Sequence, residues 1–346
     1  MNELTIATPD DWHLHLRDGS LLDETVPATA RCFRRAIVMP NLLPPISNAK
    51  MALEYRQRIL DAAPKGSKFS PLMTLYLSNQ TTVDDISQAI SAEIPAAKLY
   101  PAGATTNSST AVDKIEALYP VLERMSEVGM LLLVHGEVTA AEVDIFDREK
   151  HFIDQHLAQI HQRFPDLKIV FEHITTADAV EFVLCASDKV AATITPQHLL
   201  MNRNDLLVGG IRPHNYCLPI LKRSNHQTRL REIVANGSSK FFLGTDSAPH
   251  TRLTKESDCG CAGCYSAWGA LELYAQVFDD LGAMDKLEGF ASLFGPQFYG
   301  LLPNTDSIRL IKEPWLVPDQ IELKNGDTIV PLFSGQRLEW QVSEQL

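Results

Sequence analysis

The feature that most constrains the fold is a regular alternation between short apolar runs and longer segments with helical periodicity. Such alternation favours βα units, in which helices join parallel strands. Eight runs have the length and composition of buried strands, and together they predict a (β/α)8 TIM barrel of the α/β class. The runs are residues 4–7 leading into 13–15, then 36–39, 72–77, 96–99, 131–135, 168–173, 190–194 and 241–246.

The helical segments fall between these runs in the order that a barrel requires. They include residues 48–62, 83–92, 112–128, 146–163, 177–186 and 223–235. The last of them stops at Asn236-Gly237, a pair that commonly ends helices. An open, doubly wound sheet is the competing architecture, but no glycine-rich phosphate-binding motif follows the first strand.

Residues of the types that bind metals or transfer protons lie at the ends of several of these apolar runs, at similar intervals along the chain. Lys98 and His135 are 37 residues apart, and His135 and His173 are 38 apart. Asp246 lies 73 residues beyond His173, with one strand between them. A βα unit takes roughly 30 to 40 residues, so each of the four would end a strand. We therefore expect them together at the carboxyl-end mouth of the barrel, where such enzymes keep their chemistry.

The first barrel strand carries His13 and His15, which are two residues apart and would point to the same side of a strand. Two neutral imidazoles that converge on one point are suitable ligands for a divalent metal. Arg17 would continue the same face, and its guanidinium suits bidentate binding of a carboxylate. The segment indicates a metal site with a site for an acidic group beside it.

Composition limits the partners of the chain. It has 31 basic and 43 acidic residues among 346, and its formal net charge of −12 is not that of a nucleic-acid-binding protein. No apolar run is long enough to span a membrane, and the N-terminus lacks a signal-peptide pattern, so we expect a cytoplasmic protein without a membrane partner. The six cysteines are expected to be reduced thiols, and Cys259, Cys261 and Cys264 to belong to a glycine-rich loop.

The chain is predicted to form a single domain, residues 1–346. Residues from about 305 to 346 include Pro314, Pro318 and Asn325-Gly326, which indicates an irregular C-terminal extension with short strands packed on the barrel. Because only 12 residues precede His13, we expect no accessory β-sandwich.

Six motifs, in this order, resemble those of the compact bacterial dihydroorotases, a family of the amidohydrolase superfamily. They are Asp11-Trp12-His13-Leu14-His15-Leu16-Arg17, Met39-Pro40-Asn41, Lys98-Leu99-Tyr100-Pro101, Val134-His135-Gly136-Glu137, Phe171-Glu172-His173-Ile174 and Gly244-Thr245-Asp246-Ser247-Ala248-Pro249-His250. The resemblance covers nearly the whole chain. It implies a hydrolase that catalyses the reversible cyclisation of N-carbamoyl-L-aspartate to L-dihydroorotate, with loss of water, in de novo pyrimidine biosynthesis.

The resemblance also implies two zinc ions at the barrel mouth. One ion would be bound by His13, His15 and Asp246. The other would be bound by His135 and His173. Cobalt and manganese accept the same ligand types, so the metal stays open at this point.

Lys98 and Asp246 have particular roles in the implied centre. Lys98 would be carboxylated by CO2 to N6-carboxylysine, and this carbamate and a hydroxide would bridge the two ions. An unmodified ammonium could not act as a ligand, and two dications at close range need bridging anions to offset their repulsion. Asp246 would take the proton of the hydroxide and pass it to the departing ring nitrogen, as general base and then general acid.

Further residues are implied to contact the substrate. Its carboxylate would be bound by the side chains of Arg17, Asn41 and His250. The amide edge of the ring would be read by backbone groups of Leu218 and Ala262.

A loop is implied to close on the substrate. Thr105 and Thr106, in the small-residue segment 102–110, match the flexible loop of the family and could donate hydroxyl hydrogen bonds. Gly103 and the run 108–110 depart from the loop sequences of the family, which leaves the closure of this loop open. The resemblance further implies a homodimer with a small-molecule substrate.

Two other interpretations compete with a dihydroorotase. A hydantoinase, allantoinase or dihydropyrimidinase would have the same metals and act on a different ring. Those relatives generally carry a longer N-terminal segment and a β-sandwich, and Arg17 with Asn41 indicates an acidic substrate. A metal-free scaffold descended from such an enzyme would have lost ligands, whereas every expected ligand is present in this chain. We therefore expect an enzyme that acts on an acidic cyclic amide.

Overall fold

The computed structural model describes residues 2–108 and 111–345, with only the backbone for residues 344 and 345. Within these residues the strands, in chain order, are β1 (Glu3–Ala7), β2 (Asp11–Leu14), β3 (Arg35–Val38), β4 (Ser70–Tyr76), β5 (Ala96–Leu99), β6 (Leu131–Val134), β7 (Ile169–Phe171), β8 (Val190–Ile194), β9 (Phe241–Leu243), β10 (Ser307–Ile311), β11 (Trp315–Leu316), β12 (Ile321–Glu322), β13 (Thr328–Ile329), β14 (Arg337–Leu338) and β15 (Gln341–Gln345).

Helices follow most of these strands. The α-helices are α1 (Leu22–Ala30), α2 (Ala49–Ala62), α3 (Val83–Ser91), α4 (Tyr119–Val128), α5 (Arg148–Phe152), α6 (Ala158–Arg163), α7 (Ala177–Cys185), α8 (Pro196–Leu200), α9 (Arg203–Leu207), α10 (Ser224–Asn236), α11 (Arg252–Lys255), α12 (Ala270–Asp280) and α13 (Phe294–Tyr299). Short 3-10 turns cover Gly19–Leu21, Ile115–Leu118, Pro213–Asn215, Ala267–Gly269 and Met284–Lys286, and π-helical turns cover Ile153–Leu157 and Gly289–Leu293. None of the helices in residues 2–108 and 111–345 is long and apolar enough to cross a membrane.

Strands β2 to β9 form one parallel sheet whose spatial order follows the chain. The two ends of the sheet meet at the carboxyl ends of β2 and β9. There the amide of His15 donates to the carbonyl of Ser247 at 2.9 Å, and the amide of Asp246 donates to the carbonyl of His13 at 2.8 Å. The sheet therefore curls into a barrel. The predicted (β/α)8 fold is confirmed, and the open doubly wound sheet is excluded.

The first predicted strand differs from the observed one. Residues 4–7 belong to β1, which lies outside the barrel and pairs antiparallel with β10. Only β2 enters the barrel, and it ends at Leu14, so His15 follows the strand. The pairing of β2 with β3 shifts register between Asp11 and Leu14. A bulge of this kind changes which side chains face the barrel interior.

Two predicted helices are less regular than their patterns indicate. The segment predicted as one helix over 112–128 becomes α-helical only at Tyr119, where Pro120 occupies the first turn and needs no hydrogen-bond acceptor. Val112 instead bridges Pro101. The segment predicted over 146–163 contains the π turn Ile153–Leu157 between two α-helical parts. Patterns of apolar residues do not distinguish these local geometries.

The C-terminal residues form short strands against the barrel. β10 lies between β1 and β15 in a three-stranded antiparallel sheet, and β11 pairs with β14 and β12 with β13. Ile308, Leu310 and Trp340 are buried in the same apolar cluster as the barrel helices. This end of the chain thus packs on the barrel and, through Val317, Leu332 and Leu338, on the segments that contain Cys217 and Cys264.

A second apolar cluster fills the barrel below the mouth. It includes Trp12, Leu133, Val170 and Phe242, and Trp12 stacks on Tyr299 with 4.1 Å between the ring centroids. A plug of large side chains keeps the barrel from being a pore. It also provides a floor of low polarity for the side chains above it.

Candidate metal centre and substrate site

Side chains from five barrel strands meet above the apolar plug. In β5 and β6, Ala96 and Leu133 face the barrel interior. Because side chains alternate along a strand, Lys98 and His135, each two residues further, face it as well. All the predicted metal ligands are buried, with exposed fractions of at most 8%: His13, His15, Lys98, His135, His173 and Asp246.

His13, His15 and Asp246 form the first part of the cluster. The Nε2 atoms of both imidazoles lie 3.3 Å from the same Oδ1 of Asp246, and 3.4 Å from each other. Their ligand-type atoms all lie within 4.8 Å of one another. Two imidazoles and a carboxylate at such distances match the ligand types that bind zinc in proteins.

His135 and His173 form the second part of the cluster. The ring of His173 lies between those of His135 and His13, with ring centroids 4.8 Å from each. The Nδ1 atom of His173 is buried and has no hydrogen-bond partner among the described residues. A buried polar atom without a partner is costly, so the site fits a bound cation that the polypeptide does not supply.

Two of these ligands have an unusual backbone conformation. His173 has φ of +43° and Asp246 has φ of +45°. The left-handed region costs an L-residue roughly 1–2 kcal/mol, and such residues cluster at functional sites. In β7 the alternation points Val170 and Glu172 inward, and the left-handed turn directs His173 inward as well. Two adjacent residues of one strand thereby face the same centre.

Glu172 connects His13 of the first part of the cluster to Lys98. One carboxylate oxygen lies 2.9 Å from Nδ1 of His13, and the other contacts Nζ of Lys98. Glu172 is fully buried. No role was predicted for it, although an acidic residue directly after the apolar strand Ile169–Phe171 was a usable signal.

The ammonium-bearing side chain of Lys98 is fully buried, and its Nζ lies 4.8 Å from the centre of the Tyr100 ring. Burial lowers the pKa of the Lys98 amine from its ordinary value, although the Glu172 carboxylate acts in the opposite direction. A lysine without access to water is thus held among metal-ligating side chains. Lys98 is therefore not a solvent-facing lysine at the end of a strand.

The electrostatic setting favours the neutral, ligand-competent form of His15 and His173, whereas the Glu172 carboxylate, against the effect of burial, raises the pKa of His13. Burial, helped by the charge of Arg17, lowers the pKa of His15 to about 4. Burial and the charge of Lys98 lower the pKa of His173 well below its usual value. Although burial opposes it, hydrogen bonds with His13 and His15 hold the pKa of Asp246 well below its usual range. Neutral imidazoles beside an ionised carboxylate are what a divalent cation requires.

Carboxylates behind the cluster fix the orientation of its members. Asp11 accepts hydrogen bonds from the amide of His13 at 3.1 Å and from the amide and hydroxyl of Thr245 at 2.9 and 2.6 Å. Glu137 lies 3.0 Å from Nε2 of His135. Burial raises the pKa of Asp11 to about 6. Hydrogen-bond partners of metal ligands influence the affinity for the metal. Neither Asp11 nor Glu137 was predicted to have this role.

Arg17, Asn41 and His250 meet on one side of the metal centre. The Arg17 guanidinium donates to the Pro249 carbonyl at 3.2 Å and lies 3.0 Å from Nε2 of His250. Asn41 Oδ1 lies 2.8 Å from Nδ1 of His15. The expectation that Arg17 continues the strand face is wrong, because β2 ends at Leu14 and Arg17 has φ of +62°. The left-handed turn, and not strand alternation, directs its side chain to the site.

The small-residue loop contacts this group. Asn41 Nδ2 donates to the carbonyl of Thr106 at 3.0 Å, and the Thr106 hydroxyl donates to the Ala262 carbonyl at 3.5 Å. The amide of Thr105 donates to the Ser108 hydroxyl at 2.9 Å, within the loop. The last two residues of the predicted loop segment 102–110, Ser109 and Thr110, lie outside the described residues.

Lys255 connects the segments that contain Leu218 and Ala262. Its Nζ donates to the carbonyls of Tyr216, Cys261 and Gly263 at 2.8, 2.7 and 2.8 Å, and the residue is 2% exposed. The amide of Gly263 also donates to the Tyr216 carbonyl at 2.9 Å. The two segments are therefore adjacent, and they form one wall beside the site. Nothing in the sequence singles out this lysine.

A cavity of about 530 Å³ opens beside the centre, and its walls include Arg17, Thr106, Asn107, His250 and Cys261. Cavities of roughly 300–1,000 Å³ are typical of small-molecule sites. The cavity places a guanidinium, imidazole and amide next to metal-ligating side chains. The arrangement suits a small anion whose reacting group lies close to a metal.

Comparisons with known proteins agree with this geometry. Residues 6–338 match the model of the Amidohydrolase family. A dihydroorotase of Shewanella halifaxensis is 68% identical over 342 residues, which cover 99% of each chain. A dihydroorotase of Saccharomyces cerevisiae, solved in complex with 5-fluoroorotic acid, is 33% identical with a TM-score of 0.92 and 99% coverage of each chain. An L-hydantoinase of Arthrobacter aurescens has a TM-score of 0.82, covering 99% of this chain and 84% of its own, but its 16% identity shows the fold alone.

Replacement of Glu172 tests its place behind the metal ligands. We expect Glu172→Gln to weaken zinc binding roughly 10- to 100-fold, because a neutral amide orients the ligand His13 through its Nδ1 atom less strongly than a carboxylate does. Zinc affinity is measured by competition with a chelator, followed by metal analysis. Glu149→Gln is the matched control, since Glu149 is equally buried and binds Thr175 and Thr176 instead. Unchanged zinc affinity in Glu172→Gln would contradict the assignment.

Proposed function

This chain belongs to the amidohydrolase family, among its dihydroorotases, and we propose that the site at the barrel mouth interconverts N-carbamoyl-L-aspartate and L-dihydroorotate in pyrimidine biosynthesis. The observation that carries the proposal is the contact between two sets of side chains. Nδ1 of His15, a candidate metal ligand, lies 2.8 Å from Asn41 of the polar group around Arg17. A cyclic amide with a carboxylate on its ring needs a metal at one end and such a group at the other.

We propose that two zinc ions occupy the centre. His13, His15 and Asp246 would hold one ion, and His135 and His173 the other; the donor types and the unpartnered Nδ1 of His173 support this. When bound, the ions would supply an activated water and polarise the substrate carbonyl. Glu172, Asp11 and Glu137 keep the imidazoles oriented through the contacts described above.

Lys98 is proposed to be carboxylated in the active enzyme and to lie between the two ions. A neutral amine forms the N–C bond with CO2 and loses one proton, which leaves a carbamate anion. The burial of Lys98, which lowers the pKa of its amine, favours the neutral form that this step needs. An anion at this position also balances the charge of two dications better than an ammonium does.

Loss of the Lys98 side chain tests the bridging role. We expect Lys98→Ala to lose most of its bound zinc and its activity, because the anion between the ions is gone. Metal content is measured directly, and the carbamate carbon is sought by NMR after labelling with 13C-bicarbonate. Lys255→Ala is the control for zinc content alone, because Lys255 is also buried but binds backbone carbonyls of the wall beside the substrate site and no candidate metal ligand. Near-normal zinc content in Lys98→Ala would exclude the bridge.

Asp246 is proposed as the general base and acid. Its carboxylate is ionised at neutral pH, since its pKa lies well below the usual range, and it is in hydrogen-bond reach of His13 and His15. In the hydrolytic direction one of its oxygens would accept a proton from the attacking water and deliver it to the ring nitrogen that leaves. In the synthetic direction the same atoms carry the proton in reverse.

The substrate carboxylate is proposed to lie against Arg17, Asn41 and His250. Burial and the charge of Arg17 lower the pKa of His250 to about 2, so its imidazole is neutral and Arg17 supplies the positive charge. Backbone groups of Leu218 and Ala262, in the wall held by Lys255, would contact the amide edge of the ring.

The loop residues Thr105 and Thr106 are proposed to cover the bound substrate. The contacts of Thr106 with Asn41 and Ala262 support this, because they join the loop to the polar group and to the wall. A loop closed over the site would exclude water from the reacting groups.

The experiment that tests the function is hydrolysis of L-dihydroorotate by the zinc-replete protein, with hydantoin and dihydrouracil as neutral controls. Turnover of L-dihydroorotate alone is expected, because the polar group around Arg17 recognises a carboxylate. Turnover of a neutral ring would be consistent with the proposed metal centre but would overturn the assignment of the carboxylate site. Absence of turnover with all three compounds would favour a protein without catalysis.

Arg17→Met isolates the carboxylate contact. We expect the KM for L-dihydroorotate to rise about 10- to 100-fold with little change in kcat, since Arg17 binds the carboxylate in both the ground and transition states. Initial rates over a range of substrate concentrations give both constants. A large loss of kcat at unchanged KM would show that Arg17 acts on the reacting group instead.

A homodimer is proposed from an exposed apolar patch that contains Leu207, Val208 and Ile211. Leu207 and Ile211 line a surface cavity of about 600 Å³, and contiguous apolar patches often mark protein interfaces. Ile211→Glu is expected to shift the protein to monomers in sedimentation velocity. Leu302→Glu, at an even more exposed leucine outside the patch, serves as the control and should stay dimeric. A monomeric parent protein would contradict the proposal.

We also propose a cytoplasmic location. All six cysteines are free thiols, which is typical of reducing compartments. The small polar metabolites of the proposed reaction and the acidic charge of the chain give no role to a membrane or to nucleic acid.

A further inference from the structure

The backbone that carries Arg17 has a disfavoured conformation. Arg17 and Gly19 both have φ of +62°, so the chain makes a tight left-handed turn directly after the metal ligand His15. Glycine adopts this region without penalty, but arginine does not. A residue stays in such a conformation only where its surroundings determine it. The contacts that hold this turn therefore also decide where the Arg17 guanidinium points.

Helix α2, which also lines one side of the cavity, supplies these contacts. The hydroxyl of Tyr55 donates a hydrogen bond to the carbonyl of Arg17. Arg58, three residues further on the same helix face, binds the next residue of the turn: its Nε and terminal nitrogen lie 3.0 and 2.8 Å from the two carboxylate oxygens of Asp18. Two consecutive residues of the turn are thus held by one helix.

The two contacts differ in strength because they differ in burial. Tyr55 is fully buried among apolar side chains, and its hydroxyl reaches the turn from the core. Arg58 and Asp18 are partly exposed, and exposed ion pairs contribute little. A buried hydrogen bond to a backbone carbonyl cannot be replaced easily by water. Tyr55 is therefore the principal constraint on the Arg17 backbone.

We propose that Tyr55 is a positioning residue for Arg17 and so helps to determine the preference of the enzyme for cyclic amides that carry a carboxylate. The proposal rests on the proposed role of Arg17 in carboxylate binding. Tyr55 does not reach the cavity. Its hydroxyl fixes the turn, the turn directs the guanidinium toward Pro249 and His250, and the substrate carboxylate meets a guanidinium that is already oriented.

Tyr55→Phe removes one hydroxyl and keeps the ring in the core. We expect the KM for L-dihydroorotate to rise roughly fivefold, as for one lost hydrogen bond, with kcat and zinc content within about twofold of the parent. The matched control is Tyr119→Phe, which removes a hydroxyl from helix α4, where Tyr119 packs against Arg163 and Phe164. It should change neither constant. Thermal unfolding of both variants establishes that they are folded.

A double-mutant cycle with Arg17→Met separates positioning from a general structural effect. If Tyr55 acts through Arg17, Tyr55→Phe will leave KM unchanged in the Arg17→Met background. An equal rise of KM with and without Arg17 would overturn the proposal, as would an unchanged KM in the single variant. If Arg17→Met itself leaves KM unchanged, the proposed carboxylate site fails instead, so the two failures are distinguishable.

Discussion

The structure depends on the burial of many ionisable side chains in one small volume above an apolar plug. Six candidate metal ligands and three carboxylates behind them have almost no access to water. An isolated buried charge costs far more than folding can supply, so each must have a partner of opposite charge or a hydrogen bond. Glu172 contacts both His13 and Lys98, Asp11 binds the β2–β9 junction, and Glu137 faces His135. Bound cations would complete this balance.

Departures from regular strand geometry concentrate these side chains. A regular strand directs every second residue inward, and this suffices for Lys98 and His135. It does not suffice where adjacent residues must face one centre, as Glu172 and His173 do. The register shift in β2 and the left-handed residues at Arg17, His173 and Asp246 solve this problem at the ends of three strands. The remaining strands form a regular barrel, and its stability offsets the backbone strain of these left-handed residues.

The contrast between regular strands and irregular strand ends explains what could be predicted from the sequence. The eight strands follow from apolar periodicity, which reflects burial in the barrel, and the spacing of Lys98, His135, His173 and Asp246 follows from the length of a βα unit. Local irregularities leave no such pattern: the separation of β1 from β2, the end of β2 before His15 and the turn at Arg17 were not predictable from alternation. Residues that act through others, such as Tyr55 and Lys255, resemble ordinary core or surface residues in sequence. Only their contacts distinguish them.

An acidic chain can bind an acidic substrate because local charge, and not net charge, acts in a buried site. The chain carries a net charge of −12, yet the cavity beside the metal centre contains the Arg17 guanidinium between two imidazoles. Burial and Arg17 together lower the pKa of His15 to about 4 and that of His250 to about 2, so both rings stay neutral at physiological pH. The polar group then presents the single positive charge of Arg17 with neutral hydrogen-bonding groups around it, which matches one carboxylate. Protonation of His15 would compete with metal binding, because His15 faces the candidate metal centre with Nε2 and Asn41 with Nδ1. One side chain, which metal binding requires to be neutral, therefore links the candidate metal centre to the proposed carboxylate site.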